Sequence, residues 1–188
     1  RAKGIDHTPV KPYSKRKSLS KERTFQQDTI DKGYLRTLLT GMVEDLCFKL
    51  RSENWLTSNI SVKIKYTNFD TESKQYSINY TSCDFTLRRL AFELLESVYQ
   101  RRMRIRLIGV SFNKLVKGRH QIDMFEDTQE KLALYNTMDR IKTRFHKGAI
   151  QWGTGFMTKQ KEEKDDSEIK PAQDILFPSN RHLYESVG

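Results

Sequence analysis

Two neighbouring segments of strict apolar and polar alternation constrain this chain more than any other feature. In residues 59–67, one face is apolar and the other polar: Ile60, Val62, Ile64 and Tyr66 against Ser61, Lys63, Lys65 and Thr67. After a predicted turn at 68–73, residues 74–81 alternate again, with Tyr76, Ile78 and Tyr80 inward and Gln75, Ser77, Asn79 and Thr81 outward. Because successive side chains of a strand point to opposite faces, the pair predicts an antiparallel sheet covered on one face only.

Two amphipathic helices flank this pair in the sequence and are predicted to cover its apolar face. The first begins near residues 28–31, and its stripe is Leu35, Leu38, Leu39, Met42, Val43, Leu46 and Leu50. Asp84 is expected to cap the second, whose stripe is Leu87, Leu90, Ala91, Leu94, Leu95, Val98 and Tyr99. Arg101 and Arg102 are expected to end that helix, near the negative end of its dipole.

Two outer segments complete the predicted sheet. Residues 16–25 are typical of a first strand, and residues 103–112 of a last strand in which Arg104 and Arg106 lie opposite Ile105 and Leu107. Gly109 within the last strand indicates a bulge or a close backbone approach. The order β-α-β-β-α-β predicts the α+β class: a four-stranded antiparallel sheet with two helices on one face and a polar, basic face opposite.

The positive charge is concentrated in the part of the chain that holds this pattern. The net charge is +10, and residues 1–120 carry 24 Lys/Arg and 12 Asp/Glu, whereas residues 121–188 carry 10 and 12. A basic domain favours a polyanionic partner, because phosphate contacts release condensed counterions. An ordinary basic surface would give the same charge, so the charge alone is weak evidence for a nucleic-acid partner.

No catalytic or metal-binding constellation is predicted. Asp165 and Asp166, with Glu162, Glu163 and Glu168, lie in a charged segment without a hydrophobic frame and are interpreted as solvated charge. The four histidines lack metal-ligand spacing. Cys47 and Cys83 fall in apolar patterns, which favours a reduced core and a cytoplasmic location. No apolar run approaches the 18 or so residues of a membrane span, so we expect no membrane partner.

Three motifs, taken in order, resemble the little-finger domain of Y-family (translesion) DNA polymerases, closest to the bacterial polymerase IV branch. They are Lys-Ser-Leu-Ser-Lys-Glu-Arg-Thr-Phe at 17–25, Val-Lys-Ile-Lys-Tyr-Thr-Asn-Phe at 62–69 and Arg-Ile-Arg-Leu-Ile-Gly-Val at 104–110. Residues 4–10 resemble the end of that family's thumb, and the resemblance extends over residues 4–126. It implies a sheet that lies along the DNA major groove and holds the template and primer backbones.

The resemblance implies DNA contacts through the polar face. Carried over position by position, they are Lys17, Ser18, Ser20, Arg23, Thr24, Lys63, Lys65, Lys74, Gln75, Arg104 and Arg106. Family members often have arginine at the position of Lys74 and sometimes a basic residue at that of Ser111, and this chain departs from both. The face has few aromatic residues, which suits a duplex backbone better than stacked single-stranded bases.

The family's palm and fingers, with their metal-binding carboxylates, have no counterpart here, and the chain begins at Arg1. We therefore expect a piece of a longer polypeptide that needs no cofactor itself. The intact polypeptide would be an error-prone DNA-directed DNA polymerase, a nucleotidyltransferase that uses Mg²⁺ and copies past damaged bases in DNA repair and damage tolerance. The missing catalytic core is then a partner of this region.

A peptide after the last strand resembles the one by which bacterial polymerases bind the β sliding clamp. It consists of Gln121, Ile122, Asp123, Met124 and Phe125. Met124 and Phe125 would fill an apolar pocket while Gln121 forms hydrogen bonds at its rim. The alternative is that both apolar side chains pack back onto the domain.

The sequence predicts five regions. They are a linker from the thumb (1–16), the little finger (17–112), a clamp-binding segment (113–127), a C-terminal helical motif (128–155) and a charged tail (156–188). The helical motif resembles one in some Y-family proteins, and its stripe is Leu134, Met138, Ile141 and Phe145, with an end signal at 146–148. The apolar residues 175–178 are expected to pack on a neighbouring surface.

Two other functions stay open. RNA-recognition modules share the β-α-β-β-α-β order, but their third strand carries glycine between basic and aromatic residues. Residues 74–80 here lack that glycine, and the tyrosines are predicted on the apolar side. The second alternative is a non-catalytic protein-interaction domain.

Overall fold

The computed structural model describes residues 16–118, 129–146, 148–150 and 152–153. The strands are β1 (Ser18–Thr29), β2 (Trp55–Tyr66), β3 (Thr71–Thr81), β4 (Ile105–Asn113) and the two-residue β5 (Val116–Lys117). The helices are α1 (Lys32–Ser52), α2 (Asp84–Val98) and α3 (Gln129–Phe145). The predicted order β-α-β-β-α-β and the α+β class are confirmed, with β1 and β2 both longer than expected.

The four long strands form one antiparallel sheet in the order β1-β4-β2-β3, and β5 pairs with the start of β2. Strands β2 and β4 are therefore central. Ile60, Val62, Ile64 and Tyr66 of β2 have no exposed surface. This confirms the alternation predicted for the first strand pair, because every second side chain of a central strand reaches the core.

Helices α1 and α2 cover one face of the sheet, as predicted, and their apolar stripes form the core with β2 and β4. Asp31 is the N-cap residue of helix α1, and its carboxylate accepts the Tyr34 backbone N–H at 3.1 Å. This places the expected helix-start chemistry at the last residue of the predicted 28–31 region. In the part of the chain that the structure describes, no helix is long and apolar enough to cross a bilayer.

Strand β3 differs from the prediction. Tyr76 lies on the helix side of the sheet, as expected, but Tyr76 and Tyr80 are 56% and 49% exposed, because β3 is an edge strand that the helix layer covers only in part. Thr81, expected outward, is buried, and its hydroxyl accepts the backbone N–H of Cys83 at 3.1 Å. The pairing register shifts near this end of β3, so simple alternation does not extend to Thr81.

Both predicted ends of α2 need correction. Cys83, not Asp84, is the N-cap residue, and it makes no side-chain cap hydrogen bond. The hydroxyl of Tyr135 in α3 lies there instead, 3.3 Å from the Cys83 sulfur, and accepts the Phe85 N–H at 3.4 Å. Helix α2 ends at Val98 with no basic residue in its last turn, and Arg101 pairs instead with Asp70 at 2.9 Å and with Glu72 at 3.0 Å.

Helix α3 docks on α1 and on the start of α2 through polar contacts. Arg51 of α1, whose side chain is 11% exposed, donates to Asp84 at 2.5 Å and to the Ser82 carbonyl at 3.0 Å. It also donates hydrogen bonds to both carboxylate oxygens of Asp139 in α3, at 2.6 and 2.9 Å. Its guanidinium lies 5.1 Å from the centre of the Tyr135 ring. Burial alone would lower the pKa of Arg51, but the bonds to Asp139 and the charge of Asp84 raise it.

A second polar contact joins the same elements. Glu44 of α1, which lies outside the predicted apolar stripe, is buried and lies 3.8 Å from Lys142 of α3. It accepts the backbone N–H of Trp152 at 3.0 Å. Burial raises the pKa of Glu44, and the Trp152 bond and the charge of Lys142 only partly offset that effect.

These contacts overturn the predicted packing face of α3. Leu134 and Phe145 are 54% and 60% exposed, whereas Tyr135 and Lys142 are buried. The polar partners on α1 and α2 therefore select the face that docks. Cys47 and Cys83 are buried, as their apolar sequence patterns predict, and burial raises the pKa of the Cys47 thiol, with the charge of Asp84 adding to it.

Candidate nucleic-acid interface

The sheet face opposite the helices consists of polar rows that run across the strands. Side chains directly opposite each other in paired strands share a face, so the register identifies the rows. One row is Ser20, Ser111, Ser61 and Gln75. The next is Ser18, Asn113, Asn59 and Ser77. We call this surface the open face.

Hydrogen bonds between side chains order one end of the open face. The Asn113 amide donates to Asn59 at 3.1 Å, and the Asn59 amide donates to the Ser77 hydroxyl at 3.3 Å. Sequence reasoning named neither asparagine as a contact residue, although Asn59 stands at the start of the alternating segment 59–67. Amides and hydroxyls fixed in this way can form hydrogen bonds with a phosphate and sugar backbone without reading sequence.

An ion pair crosses the middle of the open face. Glu22 of β1, Gly109 of β4 and Lys63 of β2 form one row, and Glu22 reaches over Gly109 to Lys63 at 2.5 Å. A Cβ atom at Gly109 would lie 2.7 Å from the Cγ atom of Glu22. Gly109 thus marks a close approach, one of the two readings of its pattern, and the group that approaches is a side chain. Lys63 is 37% exposed and Glu22 44%, so both still meet solvent.

The end of the open face nearest the β2–β3 turn carries two cations and an aromatic ring. The pairing of β2 with β4 is irregular here, since Lys65 pairs with Leu107 and Tyr66 with Ile105, leaving Arg106 as an extra residue. Leu107 therefore shares the open face with Lys65. The Phe69 ring lies 4.8 Å from the Lys65 amine and 5.0 Å from the Arg106 guanidinium.

The structure brings together most of the predicted contact residues. Ser18, Ser20, Thr24, Lys63, Lys65 and Gln75 lie on the open face by register, and Arg106 joins them through the Phe69 ring. Lys17 and Arg104 are exposed just before β1 and β4. Whether these residues contact DNA stays a prediction.

Two predicted contact residues lie on the other side of the sheet. Arg23 pairs with Ile108 and Lys74 with Val62, and both partners are core residues under the helices. The Lys74 amine donates to the Ser97 carbonyl of α2 at 2.7 Å. The alternation of β1 and β3 turns these side chains away from the open face. A match to a family motif does not show which face of the sheet a side chain takes.

The predicted clamp peptide, residues 121–125, lies outside the described residues, as do the linker before residue 16 and the tail after residue 153. Among the residues that are described, no three His, Cys, Asp or Glu side chains converge in a way that could hold a metal ion.

Known proteins resemble this chain over part of their own length. Residues 16–124 match the impB/mucB/samB family C-terminal domain. A DNA polymerase IV of Pelotomaculum thermopropionicum is 29% identical over 153 residues, 79% of this chain and 38% of that protein. A DNA polymerase IV of Desulfotalea psychrophila is 33% identical over 115 residues, 61% of this chain and 31% of that protein. The chain thus spans well under half the length of these relatives.

A solved structure shares the fold. A Y-family DNA polymerase chimera superposes with a TM-score of 0.50 at 22% sequence identity, over 62% of this chain and 33% of the chimera. At this identity the likeness shows the fold alone.

Proposed function

We propose that the open face of this chain holds primer–template duplex DNA by the two phosphate backbones. The chain belongs to the impB/mucB/samB family of C-terminal domains and is the C-terminal region of a Y-family DNA polymerase. One observation carries the proposal. The face that the helices leave uncovered combines ordered amides and hydroxyls with the cations Lys63, Lys65 and Arg106. Hydroxyls and amides can fix the register on a backbone, and cations neutralise its phosphates.

The same geometry argues against an RNA-recognition module. Such modules stack bases on aromatic side chains in the middle of the sheet. Here Tyr76 is paired with the buried Ile60 and so lies on the helix side. The middle of the open face carries serines and the Glu22–Lys63 ion pair. A duplex backbone fits these groups better than unstacked bases do.

The test compares cationic side chains on opposite faces of one sheet. We expect Lys63→Ala combined with Arg106→Ala to weaken duplex binding and to lower the slope of log affinity against log salt by about 2, since each phosphate contact contributes about 0.9. Lys74→Ala is the matched control, because Lys74 is an exposed lysine of the same sheet that points to α2. Fluorescence anisotropy over a salt series measures both. An equal effect of the control, or an unchanged slope in the double variant, would contradict the proposal.

The activity of the whole polypeptide is proposed from the family. A catalytic core elsewhere in the polypeptide would use Mg²⁺ for template-directed synthesis past damaged bases, and this region would keep the duplex in place. Adding the chain to a Y-family core that lacks its own C-terminal region should lengthen the products of each binding event. The Lys63→Ala and Arg106→Ala double variant should fail to do so. Equal stimulation by both proteins would exclude a DNA-holding role.

The clamp tether is proposed from sequence alone. Residues 121–125 resemble a clamp-binding peptide and follow the sheet domain directly, where an extended peptide can reach a partner. We expect Phe125→Ala to abolish binding to the bacterial β sliding clamp in a pull-down. Phe145→Ala, which removes another phenyl group that is 60% exposed, should leave binding unchanged. Binding that survives Phe125→Ala would place the tether elsewhere, with residues 175–177 the next candidate.

A further inference from the structure

Phe69 occupies an unusual position in the turn between β2 and β3. Its φ angle is 70°, in the left-handed region where glycine or asparagine is the usual residue. Its backbone N–H donates to the Tyr66 carbonyl at 3.0 Å, which closes the turn. Its side chain is 61% exposed and does not belong to the core. A bulky exposed ring at a strained position contributes little to folding, and such positions are common at functional sites.

Two cations from different strands converge on this ring. The Lys65 amine lies 4.8 Å and the Arg106 guanidinium 5.0 Å from its centre. Arg106 is the extra residue of the irregular pairing between β2 and β4. A bulge re-aims a side chain, and here it accompanies a second positive charge at the ring. The ring and the cations together mark the end of the open face, beyond the rows of serine and asparagine.

We infer that this end of the open face binds an unpaired nucleotide next to the duplex, with its base stacked on Phe69 and its phosphate beside Lys65 and Arg106. The inference rests on the proposed function of the open face. Cations alone would be enough to bind the phosphates of a duplex, whereas an aromatic ring makes no favourable contact with a phosphate. The π-faces of paired bases are covered inside the duplex, but an unpaired base offers a free π-face, and stacking on an aromatic side chain is how proteins hold such bases.

The test uses three probes with one duplex sequence. The first is blunt, the second carries a short thymidine overhang at its 5′ or 3′ end, and the third carries the same overhang with abasic sugars in place of the bases. We expect the wild-type chain to bind the duplex with a thymidine overhang at one of the two ends about fivefold or more tightly than the blunt duplex. A change in affinity of about this size is what stacking of one base on an aromatic side chain contributes. The abasic overhang should lose most of that advantage.

Phe69→Asn removes the ring and keeps a residue that tolerates the left-handed conformation. It should abolish the preference for the thymidine overhang and leave blunt-duplex binding nearly unchanged. Phe85→Ala is the matched control, because Phe85 is 55% exposed and lies in the first turn of α2, away from the open face. It should keep the preference, and Phe69→Tyr should keep it as well.

Three results would overturn the inference: no overhang preference in the wild type, a preference that the abasic probe retains in full, or equal loss of blunt and overhang binding in Phe69→Asn. The last outcome would mean that the ring only supports the stems of Lys65 and Arg106. Failure of the proposed function looks different, because blunt-duplex binding would then be absent or insensitive to Lys63→Ala.

Discussion

Removing the guanidinium of Arg51 is expected to destabilise the fold, because it leaves the buried Asp84 carboxylate without its cationic partner. The side chain of Asp84 is 2% exposed, and its Oδ1 atom receives the Arg51 bond at 2.5 Å, while Oδ2 is buried without a hydrogen-bond partner. Asp139 is 18% exposed and can turn toward water. Breaking a buried pair by removing one partner costs about 3–5 kcal/mol. We expect Arg51→Met to lower the free energy of unfolding by that amount.

The matched control is Arg36→Met on the same helix. Arg36 pairs with Glu96, and the two side chains are 50% and 59% exposed. An exposed pair contributes about 0–1 kcal/mol, so this variant should lose no more than that. The assay is urea unfolding followed by far-ultraviolet circular dichroism, with the slopes compared to exclude a change in the unfolded state.

A double variant identifies the cause. If the cost of Arg51→Met comes from the stranded charge, then adding Asp84→Asn should restore at least about 1 kcal/mol. If Arg51→Met itself is too unstable to purify, Arg51→Lys can replace it. This variant keeps the charge but loses the bidentate hydrogen bonds to Asp139, so its free energy of unfolding should lie between those of Arg51→Met and the wild type. A loss no larger than that of Arg36→Met, or a double variant no more stable than Arg51→Met, would refute the reasoning.

Three further outcomes are expected. Glu22→Gln should raise duplex affinity about two- to fivefold in anisotropy titrations, because it frees Lys63 and removes a negative charge from the open face; an unchanged or lower affinity would argue against DNA binding at this row. Burial raises the pKa of Glu44, so the folded chain binds the proton of this carboxyl group more tightly than the unfolded chain does. The contribution of Glu44 to stability therefore increases as the pH falls toward 4.5, the ordinary pKa of a glutamate. Glu44→Gln should therefore flatten the pH dependence of the urea midpoint in that range, and an unaltered profile would show that Glu44 does not titrate there. Tyr135→Phe should lower the free energy of unfolding in urea by about 1 kcal/mol, because it removes the hydroxyl that accepts a hydrogen bond at the start of α2. Leu134→Ala should change the free energy of unfolding by less than about 0.5 kcal/mol, because Leu134 is exposed. A larger loss for Leu134→Ala than for Tyr135→Phe would support the packing face first predicted for α3.

Much of the fold could be predicted because burial leaves a local periodic mark. The alternation of residues 59–67 and the stripes of α1 and α2 identify the elements and their buried faces, and Val62 and Leu35 are fully buried as expected. The predictions failed where a neighbour outside the local pattern decides. Tyr76 is exposed because β3 is an edge strand, and Leu134 is exposed because α3 docks through Tyr135 and Lys142.

The candidate site shows the same division. Its polar strand positions, such as Ser20 and Lys63, could be read from alternation and from resemblance to a family. The sides taken by Arg23 and Lys74 could not be read from the motif alone, because the register with β4 and β2 turns them toward the helices. Phe69 gave no sequence signal of its own beyond standing in a family motif.

The amino-acid sequence by itself determined the element order, the layer of two helices on one sheet face and the positive charge of this domain, because each depends on residues close together in the chain. Tertiary structure alone decided which side chains meet. Glu22 reaches Lys63 only because Gly109 lies between them, and Arg106 reaches Phe69 where the strand pairing is irregular. Arg51 contacts Asp84 only where α1 lies beside the start of α2, and it contacts Asp139 only where α3 has docked. Cross-strand register and helix docking result from the packing of the whole domain, and no local pattern specifies them.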